Sequence, residues 1–273
     1  MIGMKKIPFH KMQGSGNDFI LIDNRRGVLK GRNLQQLART VCDRHYSVGA
    51  DGLIVIVPSR RADFKWRYLN ADGSEAEMCG NGSRCAARYA QMRKIAGRKL
   101  SFETLAGIIR AEVQDGTVKV QLTGATDLHR EIPIPLGKGT RTGHFINTGV
   151  PHVVYITDRI ESEDVAGIGR ETRYHRLFSP AGANVNFVQV LGPRRIAIRT
   201  YERGVEGETL ACGTGSVAGA LIAGSLGLVS SPVDVITRSG EKLRVSFRHE
   251  GGSFADLHLE GGAEVICEGT LYI

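Results

Sequence analysis

Residues 78–83 read Met78-Cys79-Gly80-Asn81-Gly82-Ser83, and the chain carries the pattern a second time as Ala211-Cys212-Gly213-Thr214-Gly215-Ser216. Aligned on the cysteines, the two neighbourhoods agree well beyond this core. Tyr68 and Tyr201 each lie eleven residues upstream, and Glu75 and Glu208 each lie four upstream. Downstream, Gly80/Gly213, Gly82/Gly215, Ser83/Ser216, Ala87/Ala220 and Ala90/Ala223 match in turn. With the cysteines, that makes eight identities in the 23 positions from −11 to +11, far more than composition gives. An internal repeat is read before any local feature. This one implies two halves of similar construction, each presenting a cysteine where a loop enters a helix.

That position suits chemistry. Gly80 and Gly82 relieve backbone sterics, so consecutive N–H groups can point into one concavity ahead of a helix. A helix N-terminus attracts anions, which favours a thiolate and equally a bound carboxylate. A single copy favours the plainer reading, a helix entry with a small buried cysteine. Two copies sharing an upstream Tyr and Glu favour function.

Composition sets the bounds. A chain of 273 residues can bury a substantial core as one large domain or two ordinary ones, and the repeat favours two. Thirty-six basic against 28 acidic residues give a net charge of +8. The charge is dispersed in isolated pairs (Lys5-Lys6, Arg25-Arg26, Arg60-Arg61, Arg194-Arg195) with no basic run interleaved with aromatics. No nucleic-acid partner is therefore expected; a basic surface that gathers anionic metabolites is. Five cysteines (42, 79, 85, 212, 267) make an odd count, and the start shows no secretory pattern. Reduced thiols in the cytoplasm fit better than a disulfide framework. Met4 reads as an alternative start. The 25 residues from Thr209 to Val233 carry no charge, but five glycines break the run, so a buried helix is expected and no membrane span.

Along the chain, Phe19 to Asp23 reads as a strand led by a tight loop, Gly14-Ser15-Gly16-Asn17-Asp18, that presents polar side chains. Leu34 to Cys42 is a short amphipathic helix capped by Asn33. Strands follow at 53–57 and 64–68, then the turn Asn70-Ala71-Asp72-Gly73 and a helix from Cys79 to about Ala96. On that helix Cys85, Tyr89, Met92 and Ala96 share one face, and Arg84, Arg88 and Gln91 another, so Cys85 belongs to the core. Strands are expected at 100–103, 108–113 and 117–122. Residues 124–143 are rich in Gly, Pro and charge, and the interdomain crossing is placed at their start. Strands at 145–147 and 153–156, a short helix at 162–169, and strands at 184–190 and 196–201 lead to Cys212 and its helix. Four further strands close the chain. The domains expected are residues 1–124, with the C-terminal strand 263–273 returning to them, and residues 125–262. Many strands, few helices and two similar halves argue for an α+β fold.

Four chemistries suit two such cysteines. Zinc sites want close spacings such as C-x2-C, and Cys79 and Cys85 are six apart with no paired histidines. A redox dithiol lacks its usual C-x-x-C. A cysteine hydrolase needs one cysteine and a base, leaving the second copy unexplained. Inversion of a stereocentre uses both: one base removes a proton from one face and a conjugate acid delivers one to the other. No phosphate loop or pyridoxal-type lysine motif is evident, so such chemistry would be cofactor-free.

The set Gly14-Ser15-Gly16-Asn17-Asp18-Phe19, Asn70-Ala71-Asp72-Gly73-Ser74-Glu75, Cys79-Gly80-Asn81-Gly82, Gly182-Ala183-Asn184, Tyr201-Glu202-Arg203-Gly204 and Ala211-Cys212-Gly213-Thr214-Gly215 resembles the diaminopimelate epimerase family. The resemblance implies two pseudo-symmetric halves, each a mixed sheet wrapped around a central helix, with the active site in the cleft between them. It implies interconversion of LL- and meso-diaminopimelate for lysine and peptidoglycan synthesis, without pyridoxal phosphate or metal, by a homodimer. Carried over by position, Cys79 and Cys212 are the base and acid. The backbone amides of Gly80-Asn81 and Gly213-Thr214 clamp the reacting carboxylate, where a carbanion needs preorganised positive potential. Glu202 and His152 lie near the reacting amino group. Asn17, Asn70, Asn184 and Arg203 hold the substrate's other polar groups, with Arg203 on the distal carboxylate. Two positions depart from the family pattern: Val150 stands in place of an asparagine, and Gly52 where some members have glutamine. An epimerase of another amino acid, or a non-catalytic thiol redox or ligand-binding protein, are the competing readings.

Overall fold

A computed structural model describes residues 5–122 and 124–273; residues 1–4, with the alternative start at Met4, and Thr123 lie outside the described residues. The chain divides into two compact units, residues 1–120 with 261–273 and residues 121–260.

The first unit opens with β1 (Lys6–Gly14) and β2 (Asn17–Asp23), an antiparallel hairpin closed by Ser15 and Gly16. Both turn residues have positive φ (59° and 79°), the conformation that matches the twist of two strands joined by two residues. Helix α1 (Leu34–Val41) is capped by Asn33, whose side chain accepts from the N–H groups of Gln35 and Gln36. Then come β3 (Gly52–Val57), β4 (Phe64–Asn70), α2 (Gly80–Met92), β5 (Lys99–Thr104), β6 (Gly107–Val113) and β7 (Thr117–Gln121). Along β3 every residue from Gly52 to Ile56 is buried, because α1 covers one face of the sheet and α2 the other. Leu53 and Val55 join the core beneath α1 with Leu37, Ala38 and Val41.

The second unit holds β8 (Thr126–Leu136), β9 (Gly139–Asn147), β10 (Pro151–Ile156), α3 (Val165–Arg173), β11 (Asn184–Gly192), β12 (Arg195–Glu202), β13 (Gly207–Thr209), α4 (Gly213–Ser225), β14 (Val233–Ile236), β15 (Lys242–Glu250) and β16 (Ser253–Gly262). The final strand, β17 (Glu264–Tyr272), pairs antiparallel with β1 in the first unit.

The repeat extends to topology. From β1 to β7 successive partners run antiparallel, parallel, antiparallel, parallel, antiparallel and antiparallel. From β9 through β10, β11, β12, β14 and β15 to β16 the same succession recurs. Each unit thus carries a mixed sheet with its cysteine helix on one face, α2 against β1, β2, β3 and β6, and α4 against six strands of its own. Helix α4 is buried nearly all round, which accounts for the uncharged run around it. The architecture is α+β, in two halves of one design.

Two expectations are corrected. Residues 126–147 form a long hairpin, β8 with β9, where the sequence pattern predicts no strand between residues 122 and 145. Most of β8 is exposed, so no buried alternation marks it as a strand. Helix α2 ends at Met92, short of Ala96, because Arg93 caps it and Lys94 takes a positive φ of 55°.

Candidate active site

Both motif cysteines are helix N-caps of the same geometry. Cys79 (φ −146°, ψ 121°) precedes α2 and Cys212 (φ −121°, ψ 115°) precedes α4. Each sulfur accepts the N–H three residues on, from Gly82 at 3.4 Å and from Gly215 at 3.4 Å. Ser, Thr, Asp and Asn usually fill this role; here sulfur does, placed where the first amides of the helix, which have no partner within it, and the helix dipole stabilise negative charge. Gly80-Asn81 and Gly213-Thr214 supply the first amides of these two helices. The remaining buried thiols are unsuited to such work, since burial pushes Cys42 and Cys85 up to about 12.

In the first unit the Cys79 thiol donates to Asn17 Oδ1 at 3.7 Å. Asn17 is pinned by its other end, Nδ2 donating to Asp51 Oδ2 at 2.6 Å. Asp51 shares Arg44 with Asp18, which Lys11 also approaches at 3.0 Å. For Asp18, burial acts to raise the carboxyl, but bonds from Arg44, Lys11 and the Asp51 backbone outweigh it and hold it below its ordinary value. Asn70, at the end of β4, takes the Tyr68 hydroxyl on Oδ1 at 2.9 Å and donates to Ser74 Oγ at 3.0 Å. Burial drives the Tyr68 phenol far above its usual range, and Cys79 and Asp51 beside it add to the effect. The Asn81 side chain is buried, with no hydrogen-bond partner for Oδ1 among the described residues.

In the second unit the Cys212 sulfur lies 3.5 Å from Thr214 Oγ1, and Thr148 Oγ1 donates to the Thr214 carbonyl at 3.2 Å. Asn184 acts as a brace: Oδ1 accepts the Arg203 N–H at 2.8 Å and Nδ2 donates to the Pro151 carbonyl at 3.1 Å. It ties the segment bearing Arg203 to the segment bearing His152. The Arg203 guanidinium donates to the Ala181 carbonyl at 3.2 Å. Burial raises the Glu202 carboxyl, with Thr209 pulling the other way. Burial, and then the charge of Arg203, push the fully buried His152 down to about 3. Among the described residues, no group of three or more His, Cys, Asp or Glu side chains is arranged to hold a metal ion.

The sites expected from sequence thus gather in two sets. Asn17, Asn70, Gly80 and Asn81 surround Cys79 in one unit; His152, Asn184, Glu202, Arg203, Gly213 and Thr214 share the other with Cys212. The repeated glutamates serve structure. Glu75 takes Arg67 in two bonds of 2.8 Å, and Glu208 takes Arg199 in bonds of 2.6 and 2.7 Å. Arg84 is a further correction, since the helical spacing puts it on a polar face and it is fully buried. It donates to Ser15 Oγ at 2.6 Å and the Gly262 carbonyl at 3.0 Å, holding the hairpin turn before Asn17. Gly52 has a local reason as well: a Cβ there would come within 2.6 Å of the Tyr68 ring, so Tyr68 and a side chain at 52 exclude each other. Sequence reading misses Asp51, Asn186 and Thr200, which sit inside or beside apolar strands and carry no motif; Tyr68 is visible only as part of the repeat.

Comparison with known proteins fits this construction. A phenazine biosynthesis protein of the PhzF family from Bacillus anthracis matches with a TM-score of 0.74 at 16% identity, covering 99% of this chain and all of its own. A probable proline racemase from Agrobacterium radiobacter K84 matches at 0.71 and 15% identity, covering 98% and 93%. At those identities the likeness defines the fold: the two-unit α+β fold found in a probable racemase. The sequence profile of the diaminopimelate epimerase family matches residues 9–128 and again 144–263, and the chain belongs to that family. The diaminopimelate epimerase of Hydrogenobaculum sp. (strain Y04AAS1) is 49% identical over 96% of this chain and 97% of its own length. That of Aquifex aeolicus is 47% identical with the same coverage.

Proposed function

We propose that the chain is a cofactor-independent epimerase that interconverts LL-2,6-diaminopimelate and meso-diaminopimelate by a two-base cysteine mechanism. The observation that carries this reading is the matched pair of cysteine N-caps, one per unit, in a chain of this family. One sulfur, as thiolate, takes the α-proton from one face of the reacting carbon, leaving the electron pair on that carbon. The other, as thiol, delivers its proton to the opposite face, so configuration inverts and the two sulfurs exchange protonation state. The amides of Gly80-Asn81 and Gly213-Thr214 bind the reacting carboxylate and stabilise the charge that spreads onto it. Glu202 receives the reacting amino group. Arg203, with Asn17, Asn70 and Asn184, reads the distal end, where a guanidinium matches a carboxylate in two bonds. The enzyme serves lysine and peptidoglycan synthesis in the cytoplasm, as a homodimer.

The deciding experiment is incubation of the reduced protein with LL-diaminopimelate in D2O, followed by chiral separation and mass analysis. Formation of the meso isomer carrying one α-deuterium is expected. Binding without inversion or deuterium uptake would sink the epimerase reading. Turnover of lysine or glutamate as fast as diaminopimelate would leave the chemistry standing and remove the substrate assignment. Light scattering on the purified protein tests the dimer.

A further inference from the structure

The sheet beneath α4 carries a polar cluster that the motifs do not account for. His152 on β10, Asn186 on β11 and Thr200 on β12 are 0%, 0% and 3% exposed. The parallel register sets Val154 against Asn186, and the antiparallel register sets Asn186 against Thr200, so the three stand on neighbouring strands. Two residues along each strand, Val154, Val188 and Ile198 belong to the core around α4. Alternation therefore puts the cluster on the α4 face, at the end from which that helix starts.

Its hydrogen bonds admit one proton arrangement. Asn186 Nδ2 donates to the Val153 carbonyl at 3.0 Å, and a carbonyl only accepts, which fixes the amide's orientation. Asn186 Oδ1 accepts from Thr200 Oγ1 at 3.0 Å, as that orientation requires. The second N–H of Asn186 then points at His152 Nδ1, 3.1 Å away. Nδ1 must accept, so the neutral ring carries its proton on Nε2. A charged ring would set donor against donor, and burial with Arg203 nearby opposes it further. Nε2 is buried and has no hydrogen-bond partner among the described residues. The Cys212 loop is built around this cluster: a Cβ at Gly215 would collide with Asn186 Oδ1.

We infer that Asn186 is a positioning residue that locks His152 in its neutral Nε2–H form, so that His152 meets the substrate as a hydrogen-bond donor to a carboxylate oxygen and not as a base. The inference rests on the epimerase reading for its substrate. It reassigns His152 from the reacting amino group, because an ammonium has no lone pair to accept a proton, and leaves that group to Glu202. A buried donor without a partner is unfavourable alone, and an arriving carboxylate removes that penalty only where it binds.

The test is a long-range 1H–15N spectrum of protein labelled at histidine nitrogens, with His152 assigned by its loss in His152→Gln. Wild type should show Nε2 protonated and Nδ1 bare at pH 7. Asn186→Asp, whose carboxylate can only accept, should draw a proton onto Nδ1 and lower kcat/KM about 10- to 100-fold, the effect of one misdirected buried donor. If that variant does not fold, the wild-type spectrum decides: a proton on Nδ1, or on both nitrogens, overturns the lock. Saturating meso-diaminopimelate should shift the Nε2–H signal, and 1,5-diaminopentane, which lacks both carboxylates, should not. Equal shifts, or none with the diacid, overturn the carboxylate contact. A locked ring in a protein that epimerises nothing would instead defeat the functional reading and leave the lock intact.

Discussion

The surroundings of Cys79 and of Cys212 begin alike and end differently. Both sulfurs cap a 13-residue helix through the third amide, and both helices start on a mixed sheet of the same strand succession. Beyond the cap, each unit supports its sulfur by its own means. Cys79 leans on Asn17, which is held from behind by charges: Asp51, Arg44, Asp18 and Lys11. Cys212 has a hydroxyl of its own helix, Thr214, and neutral polar groups in the sheet below. Even Ser83 and Ser216 differ, for Ser216 Oγ bonds the Cys212 carbonyl at 2.9 Å and Ser83 Oγ has no partner among the described residues. The repeated element places the two sulfurs alike, and the unrepeated neighbours give each sulfur a different setting.

If the two caps are equivalent partners, neither sulfur can be dispensed with. Cys79→Ser and Cys212→Ser each put a far weaker base on one face, and epimerisation should fall about 10²–10⁴-fold in either. Each variant should retain elimination from a substrate with a leaving group on the β-carbon, which needs proton removal from one face alone. Stopped assays of both reactions on both variants make the check. Near-wild-type epimerisation by one of them would end the equivalence.

An asymmetry in stability is expected between Gly82 and Gly215. A methyl at Gly215 lands on Asn186 Oδ1, so Asn186 must move and release Thr200, His152 or the Val153 carbonyl. Gly215→Ala should destabilise by about 2–3 kcal/mol through the broken buried bonds. A methyl at Gly82 meets Ile54 at 3.2 Å and Trp66 at 3.4 Å, apolar tips that can yield, and the Cys79 Cβ at an ordinary 3.5 Å. Gly82→Ala should stay within about 1 kcal/mol of wild type, since alanine's helix propensity offsets the crowding. Urea denaturation ranks the two, and the reverse order would mean that the polar cluster is not rigid.

The legibility of these features follows their physics. The cysteine helices are readable because glycines at fixed offsets from each cysteine leave the same pattern in the letters twice. Strands β3 and β10 are readable as nearly continuous apolar runs, covered on both faces. Strand β1 is not, because His10, Lys11, Gln13 and Gly14 give its second half the look of a loop and mask the buried Ile7, Phe9 and Met12. Arg84 cannot be placed in the core from spacing, because a buried arginine depends on acceptors 69 and 178 residues away. Asn186 is hidden for the same reason: inside the run Val185-Asn186-Phe187 only the fold reveals that it faces a histidine.

Acid stability should single out the second unit, where His152 is held well below its unfolded value. A histidine at about 3 in the native state and 6.5 when unfolded binds fewer protons folded than unfolded between those values. Its contribution is complete above about pH 6.5 and is lost as pH falls toward 3. Between pH 6.5 and pH 5 wild type should lose about 1.5 kcal/mol more than His152→Gln. His10 and His144, also lowered chiefly by burial, remain in both proteins and cancel in the difference. Parallel stability curves for the two would show that His152 protonates freely in the fold.

The smallest contrast concerns the repeated tyrosines. The Tyr68 hydroxyl donates to Asn70 Oδ1 at 2.9 Å beside Cys79, whereas the Tyr201 hydroxyl reaches Glu206 at 3.5 Å, on a residue of the exposed loop. Both rings are buried, and glycine makes room for each, Gly52 for Tyr68 and Gly169 for Tyr201. Removing the oxygens alone leaves that packing intact, so the pair isolates the hydroxyl's contribution. Tyr68→Phe frees Asn70 to turn and takes a dipole from beside the sulfur. A loss of about 1 kcal/mol, several-fold in kcat/KM for diaminopimelate, follows from one neutral bond. Tyr201→Phe gives up a long bond to a solvated carboxylate and should change kcat/KM by less than twofold. If the two variants lose activity equally, the tyrosines serve both sulfurs in the same way and the asymmetry lies elsewhere in the units. If Tyr68→Phe is silent while Asn70→Ala is not, Asn70 holds its place through Ser74 alone.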